Sequence, residues 1–160
     1  LEPLLLNSRT DWTIFFRQLA YIMKEFPDRE SSDYAGMLAL LEGDDTARPG
    51  TSAFYEPLSQ EHREQWLAWL EEWRQGLALS IKDDNSVYER MRLTNPKFVL
   101  REWMLVEAYS DAAKGQEKTL RDMYELIQHP YDEGSTEESE RYYRRAPDSV
   151  LLAGGTAFMS

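Results

Sequence analysis

The stretch Asn95-Pro96-Lys97-Phe98-Val99-Leu100-Arg101-Glu102-Trp103-Met104 predicts the start of a helix around which the chain is organised. Asn95 can cap this helix, because its side-chain oxygen can accept a backbone N–H of the first turn. Pro96 then takes the first helical position, where its missing N–H costs nothing. Apolar residues follow about one turn apart, at Val99, Leu100, Trp103, Met104 and Val106. Arg101 points off this apolar face and is available for an ion pair, so we interpret the stretch as a structural anchor reaching about Gly115.

Helical spacing of apolar residues predicts further helices on both sides of the anchor. The clearest begins after Thr10 or Asp11, either of which can cap it, and Pro27 ends it. The next follows a cap within Ser31-Ser32-Asp33 and stops at Gly43. The positions that define the predicted faces are Trp12, Phe15, Phe16, Leu19, Ile22, Met23, Phe26, Tyr34, Met37, Leu38, Leu41, Trp66, Trp69, Leu70, Trp73, Leu77, Ile81, Val87, Tyr88, Met91, Leu120, Met123, Tyr124 and Ile127. Since no segment alternates at period two, the predicted fold class is all-α, an irregular bundle of about six helices.

Two segments lack helical periodicity. Residues 43–57 are rich in Asp, Pro, Gly, Thr and Ser and predict a surface loop, after which Ser59 caps the longest helix. Residues 132–160 join an acidic patch to the basic run 141–145 and predict an extended tail with one short helical turn. We therefore divide the chain into a helical region, 1–131, and a tail, 132–160.

Composition excludes several classes of function. The net charge of −11 argues against nucleic acid as a partner, because phosphate binding needs a basic face. The chain has no cysteine, which excludes disulfides and a thiolate nucleophile within this sequence. No run approaches the roughly 18 apolar residues of a membrane span, so no membrane partner is predicted. Both ends look cut from a longer protein.

Neither histidine has the neighbours that catalysis or metal binding requires. His62-Arg63-Glu64 has the His-x-Glu order of zinc deaminases, but that chemistry needs further ligands, usually cysteines, so we interpret His62 as a solvent-side helix residue. His129 stands at a helix end before Pro130, where it complements the partial charge of the helix C-terminus. The 29 acidic residues include no Glu-x-x-His pair, and glycine-rich phosphate motifs are absent. We predict no catalytic, cofactor-binding or metal-binding residue.

Two groups of residues leave alternatives open. The tryptophan stripe 66, 69 and 73 is a stacking platform or buried packing, and helical spacing favours packing. The basic run 141–145 with its two tyrosines binds an anion or an acidic surface, or it pairs with the adjacent glutamates, which is the plainer interpretation.

The anchor also carries a resemblance to a known family. Asn95-Pro96-Lys97-Phe98-Val99-Leu100-Arg101 resembles the Asn-Pro-Lys/Arg-x-x-Leu-Arg segment near the C-terminus of the selenoprotein O family (SelO, also called YdiU). Asp11-Trp12-Thr13-Ile14-Phe15-Phe16-Arg17 resembles that family's Asp-Tyr/Trp-Thr-x-x-Phe-Arg helix start. Further similar pieces follow in order, at Trp69 to Trp73, Leu126 to Tyr131 and Tyr143 to Pro147. The structural motif that identifies the family is Asn95, Pro96, Lys97, Leu100 and Arg101. Glu102-Trp103 departs from the family's Asn and aromatic, and residues 43–57 match nothing in it, which makes them a surface-loop insertion.

The resemblance implies a protein-kinase-like (pseudokinase) fold that binds ATP and a divalent metal, Mg2+ or Mn2+. It implies transfer of AMP to Ser, Thr or Tyr of protein substrates. The family's nucleotide- and metal-binding residues lie upstream, and none maps onto this chain. We therefore expect the C-terminal helical, non-catalytic part of a protein adenylyltransferase, packed on the kinase-like region and inactive alone.

Compartment and independence are open at this point. The resemblance implies a mitochondrial protein if the source is eukaryotic and a cytoplasmic one if it is bacterial, and the acidic insertions favour a eukaryotic source. The competing class is a stand-alone helical interaction module, which contacts a partner through its tryptophan face or acidic tail. On the enzyme interpretation, Arg101→Ala in the full-length protein should weaken docking of this region.

Overall fold

The computed structural model describes residues 1–28, 31–45, 50–80 and 84–147, without the side chains of residues 80 and 84–86. The helices in these ranges are α1 (Glu2–Asn7), α2 (Trp12–Glu25), α3 (Tyr34–Glu42), α4 (Gln60–Ser80), α5 (Asp84–Thr94), α6 (Glu102–Ala112), α7 (Lys118–Leu126) and α8 (Thr136–Tyr142). No strand occurs in the described ranges, where a single antiparallel bridge joins Thr10 to Phe54. The all-α prediction is confirmed, with eight helices among the described residues where about six were expected. Ile81 and the tail beyond residue 147 lie outside the described residues.

Side-chain caps fix where most predicted helices begin. The Asp11 carboxylate accepts the backbone N–H of Ile14 at 3.0 Å and starts α2. Asp33 accepts from Gly36 at 2.8 Å and starts α3, and Ser59 accepts from His62 at 3.2 Å at the start of α4. These caps satisfy backbone donors that have no partner within a helix. The predicted starts of α2, α3 and α4 are confirmed.

The main core lies between α2, α3 and α4, with α1 closing one side. Its buried members are Leu5, Ile14, Phe15, Leu19, Ile22, Met37, Leu38, Leu41, Ala53, Phe54, Trp66 and Leu70. The Trp66 ring lies 5.1 Å from that of Phe15 and 5.5 Å from that of Phe54. Aromatic rings at such distances add favourable edge contacts to the burial of their area. The core therefore depends on the stripe that the sequence placed on α2 and α4.

A second, smaller core forms under α6, α7 and α8. Its buried members are Phe98, Trp103, Met104, Ala108, Met123, Leu126, Tyr142 and Ala146. Helices α6 and α7 pack chiefly on each other, whereas α2 packs chiefly on α5. The α6–α7 pair is thus a helical hairpin joined to the rest of the chain by the segment before α6 and the segment after α7, and α8 completes its core.

The predicted helix start at Pro96 is wrong, because α6 begins only at Glu102. The Asn95 side-chain amide donates to the carbonyl of Met91 at 2.9 Å, so it closes α5 and does not cap α6. The backbone N–H groups of Lys97 and Phe98 both donate to the carbonyl of Pro130, at 2.8 and 3.1 Å. The Asn95 carbonyl, which would accept the first hydrogen bond of such a helix, accepts from Arg17 Nη1 at 3.0 Å. Residues 95–101 are therefore a non-helical connection between α5 and α6.

Two predictions about irregular segments are also corrected. Residues 52–54 were expected in a surface loop, yet Ala53 is fully buried and Phe54 is 2% exposed. The backbone N–H of Ala53 donates to the Leu41 carbonyl at 2.8 Å, which draws this segment into the core. The short helical turn predicted in the tail is a seven-residue helix, α8, which begins with a reciprocal capping box between Ser135 and Glu138. Whether 43–57 is an insertion stays a prediction.

Candidate functional site

The two motifs that carry the family resemblance meet through a buried ion pair. Arg101 donates from Nη1 to Asp11 Oδ2 at 2.5 Å and from Nη2 to Asp11 Oδ1 at 2.9 Å. Both side chains are only 2% exposed. Burial by itself lowers the pKa of Arg101, but the hydrogen bonds and charge of Asp11 outweigh it and raise the pKa. The predicted ion pair of Arg101 therefore exists, and it joins the start of α2 to the start of α6.

Arg17 forms the second link between the same motifs. Its side chain has no exposed surface. Nη1 donates to the carbonyls of Arg92 and Asn95, at 2.8 and 3.0 Å. Nη2 donates to the Tyr131 carbonyl at 3.1 Å and to Glu133 Oε1 at 2.6 Å. With Nε donating to the Tyr21 hydroxyl at 3.2 Å, this one buried cation holds α2, α5 and the segment between α7 and α8 together.

Glu133 is the acceptor on which this network converges. It accepts from Arg17, from the Tyr21 hydroxyl at 2.6 Å and from Lys97 Nζ at 3.4 Å. Burial by itself raises the pKa of Glu133, but the Tyr21 hydrogen bond and the Arg17 and Lys97 charges outweigh it and lower the pKa below 4.5. Burial also lowers the pKa of Lys97, against the opposing effect of Glu133. Two cations thus share one half-buried carboxylate.

Lys97 fastens α8 to the same point. Its Nζ donates to the Glu133 carbonyl at 2.6 Å and to the Ser139 hydroxyl at 2.9 Å. It also lies 5.4 Å from the centre of the Tyr143 ring, within the range of a cation–π contact. The structure therefore brings Asn95, Lys97 and Arg101 of the predicted motif into one junction. Leu100 stays outside it, 41% exposed.

A cleft of about 810 Å³ opens beside the junction, bordered by Gln18, Tyr21, Lys97, Glu133 and Tyr143. The charged groups among them are already paired with one another, and the Gln18 amide donates to the Thr51 carbonyl at 2.9 Å. The hydrogen bonds of these residues hold three chain segments together. None of the five is a nucleophile with an unpaired base beside it.

The tryptophan stripe and the two histidines lie away from this junction or in the core. Trp66 is fully buried, and the rings of Trp69 and Trp73 stack on each other at 5.8 Å and pack against the main core. The packing interpretation of the stripe is therefore confirmed. His62 is partly exposed on α4. The His129 side chain is 75% exposed and 3.9 Å from Asp132.

The basic run 141–145 forms ion pairs, but its partners are not the adjacent glutamates. Arg141 pairs with Glu107 at 3.1 Å, and Arg145 pairs with Asp45. Arg144 lies over the Trp103 ring at 4.5 Å. The run therefore ties the end of α8 to α6 and to the loop after α3.

The nucleotide and metal implied by the resemblance do not fit the residues at this junction. Asp11 and Glu133, its two carboxylates, already accept from three cationic side chains, Arg101, Arg17 and Lys97. Across the described part of the chain no three His, Asp or Glu side chains are grouped to hold a metal ion. We assign no step of catalysis to either group here.

Sequence reasoning found Asp11, Lys97 and Arg101 and missed Glu133, Tyr21 and the central role of Arg17. Glu133 lies in an acidic patch of otherwise solvated side chains, from which nothing local distinguishes it. Arg17 was present at the end of the resemblance motif on α2. A permanently charged side chain close to an apolar stripe was the signal that a buried partner must exist.

Comparison with known proteins places the chain beside one class, the nucleotidyltransferases. The relatives are each named protein nucleotidyltransferase YdiU. That of Flavobacterium johnsoniae is 28% identical over 162 residues, which cover 100% of this chain and 28% of the relative. That of Aromatoleum aromaticum is 29% identical over 164 residues, covering 27% of it, and that of Rhodopirellula baltica is 26% identical over 165 residues, covering 29%. The resemblance to the selenoprotein O (YdiU) family is confirmed.

The chain spans a little over a quarter of the length of the curated relatives it matches, 28% of the first. No family model matches it, and no solved structure does. These relatives are bacterial, and the comparisons do not support the mitochondrial expectation. Among the described helices none is long and apolar enough to cross a membrane. The C-terminal position of the chain within a longer protein stays a prediction.

Proposed function

We propose that this chain is a helical, non-catalytic part of an ATP-dependent protein adenylyltransferase and packs against the kinase-like region of the same polypeptide. The parent enzyme transfers AMP to Ser, Thr or Tyr of protein substrates and uses ATP with Mg2+ or Mn2+. The chain itself supplies structure, and the upstream region supplies nucleotide binding and catalysis.

One observation carries the proposal. The residues by which the chain resembles the family form hydrogen bonds with one another: Arg101 donates to Asp11, and Arg17 donates to the Asn95 carbonyl. A buried charge is costly unless it is paired, so these residue types are required for the fold itself. Similarity to nucleotidyltransferases over the full length of the chain, but over only 28% of the first relative, supports a part of such an enzyme.

Activity measurements on the chain and its parent test the proposal. The 160-residue chain is incubated with ATP labelled on the α-phosphate, Mn2+ or Mg2+ and a protein acceptor, beside the full-length parent. We expect label transfer by the parent and none by the chain. Label transfer by the chain alone would overturn the proposal, and so would an inactive parent whose nucleotide site is intact.

The alternative of a stand-alone interaction module loses its first candidate surface. Trp66 is fully buried, and Trp69 and Trp73 pack against the main core. A module that uses this face would have to unpack its own core to bind. The tryptophan stripe therefore favours the enzyme-part proposal over the module.

A further inference from the structure

The cleft beside the junction lies between one face of α2 and one face of α8. Helix α2 borders it with Gln18, Tyr21 and Glu25, and α8 borders it with Thr136 and Glu140. Residues spaced by three or four positions lie on the same face of a helix, so each helix turns a polar face toward the cleft. Because α2 packs chiefly on α5, its face toward α8 is left for the cleft.

The border of the cleft is acidic. Its charged residues are Glu25, Asp44, Glu133, Glu140 and Lys97. Lys97 and Glu133 pair with each other. Glu25 and Glu140 are exposed and form no ion pair within the described ranges. A concave surface lined by charges of one sign raises the local concentration of the opposite charge, so this cleft favours a cation.

A buried acceptor at the wall of the cleft provides a second, independent observation. Gln18 is 6% exposed, and its Oε1 has no hydrogen-bond partner among the described residues. Its Nε2 donates to the carbonyl of Thr51 at 2.9 Å, and Thr51 borders the cleft as well. Buried polar groups almost always have a partner. A small rotation about the last torsion of Gln18, which has only a broad preference, turns the oxygen toward a donor in the cleft. This acceptor therefore indicates a ligand with N–H donors.

The two observations together define the chemistry of the ligand. A metal ion has no N–H donor for Gln18, and no three acidic or histidine side chains in the described part of the chain are grouped to hold one. A guanidinium group carries several N–H donors in one plane and is more weakly hydrated than an ammonium group. Its flat faces also pack well against aromatic rings, and the rings of Tyr21 and Tyr143 border the cleft.

We propose that this cleft binds an arginine side chain of the protein acceptor. The guanidinium donates to Gln18 Oε1 and pairs with the carboxylates of Glu25 and Glu140. The inference rests on the proposed function, whose acceptors are proteins, and adds a feature by which those acceptors are selected. The chain thereby takes part in substrate recognition while the chemistry stays in the upstream region.

A titration of the 160-residue chain with a blocked arginine derivative tests the binding, followed by NMR of the glutamine side-chain amides. We expect a saturable shift of the Gln18 amide signals, because its oxygen gains a donor. The matched control is Gln128, whose amide also donates to a backbone carbonyl, that of Tyr124, outside the cleft. Its signals should not move. The blocked citrulline derivative has the same shape without the charge and should bind at least tenfold more weakly, by about the loss of two charge pairs.

Variants of the two exposed carboxylates separate this site from general attraction to an acidic protein. Glu25→Gln and Glu140→Gln should each weaken arginine binding about threefold, the size expected for an exposed ion pair. Glu125→Gln removes an exposed carboxylate from α7, outside the cleft, and should leave the affinity unchanged. The melting temperature should be the same in all three variants, since none of these carboxylates forms an ion pair within the described ranges.

A second measurement on the full-length parent tests the source of the arginine. Two acceptor peptides that differ only by arginine in place of citrulline should differ about tenfold in kcat/KM for AMP transfer, and the difference should shrink in Glu25→Gln with Glu140→Gln. Equal transfer to both peptides would overturn the protein acceptor as the source.

The outcomes distinguish this inference from the proposed function. Equal binding of the arginine and citrulline derivatives, or Gln18 signals that stay in place, would overturn the cleft as an arginine site even if the parent is active. A parent that transfers no AMP to any acceptor would refute the proposed function, whereas arginine binding by the chain would still establish the cleft as a guanidinium site.

Discussion

Replacing Arg101 with methionine tests the buried pair that joins the two family motifs. Methionine keeps most of the apolar stem and removes the guanidinium. Asp11 would then remain 2% exposed, having lost donors at 2.5 and 2.9 Å. Removing one partner of a buried pair costs about 3–5 kcal/mol, because the other charge is left uncompensated. Asp11 keeps the backbone N–H of Ile14 at 3.0 Å, which places our expectation at the lower end, about 3 kcal/mol.

Urea unfolding of the 160-residue chain, followed by tryptophan fluorescence, measures this loss. With a slope of about 2 kcal/mol per molar urea, a loss of this size moves the midpoint down by about 1.5 M. Arg121→Met is the matched control, since Arg121 and its partner Glu117 are 75% and 64% exposed. An exposed pair contributes roughly 0–1 kcal/mol, so the control should unfold near the wild-type midpoint.

A double variant shows whether the cost comes from the stranded charge. Asp11→Asn with Arg101→Met removes both charges, and its loss of stability should be smaller than the sum of the single losses by about 1–3 kcal/mol. A midpoint for Arg101→Met close to that of Arg121→Met would refute the reasoning, and so would strict additivity. The effect should appear in the chain alone, because the partner of Arg101 lies within it; weakened docking in the parent would be a consequence.

Three further changes test the junction and the helix ends by urea unfolding. Glu133→Gln should lower the free energy of unfolding by about 1 kcal/mol at pH 7, a value discounted for a side chain 46% exposed. Because the pKa of Glu133 is lowered in the folded state, its stabilising contribution is present above pH 4.5 and is lost as the pH falls further. The stabilities of wild type and variant should therefore converge in acid. Gly134→Ala should cost about 1–3 kcal/mol more than Gly115→Ala, since both have positive φ but only at Gly134 would a Cβ lie 2.8 Å from the Phe98 ring; equal losses would exclude the clash. Asp33→Ala should cost about 1 kcal/mol through the lost cap of α3, and a loss below a few tenths would contradict that role.

The prediction of the fold from sequence succeeded where a local rule decides the structure. The stripe of α2 and the caps at Asp11 and Asp33 act within a few residues, and all are present. The prediction failed at Asn95-Pro96, which satisfies every local rule for a helix start. There the Asn95 carbonyl, which would accept the first bond of the helix, accepts from Arg17, and the Pro130 carbonyl accepts from Lys97 and Phe98. Partners more than thirty residues away are invisible to periodicity, and they outweigh a weak local preference.

The candidate site could be predicted only in part for a similar reason. Charged residues of a recognisable motif could be named, and a fixed partner for Arg101 could be expected. The tertiary structure decides which of the 29 carboxylates pairs with Arg101. Asp11 was assigned to a helix cap, and it does that while also accepting from Arg101. One carboxylate with two roles cannot be inferred from spacing, because each role alone accounts for its position.

The contacts of Arg17 have a consequence for the order in which the chain folds. All-helical proteins usually fold fast, because most of their contacts are local. Arg17 finds its backbone and carboxylate partners 75 to 116 positions further along the chain. During synthesis α2 is therefore complete long before Glu133 leaves the ribosome, and until then a guanidinium destined for burial has to stay in water. We expect the contacts between Arg17 and the segment between α7 and α8 to form last, so that the docking of this segment onto α2 is the slow step of folding.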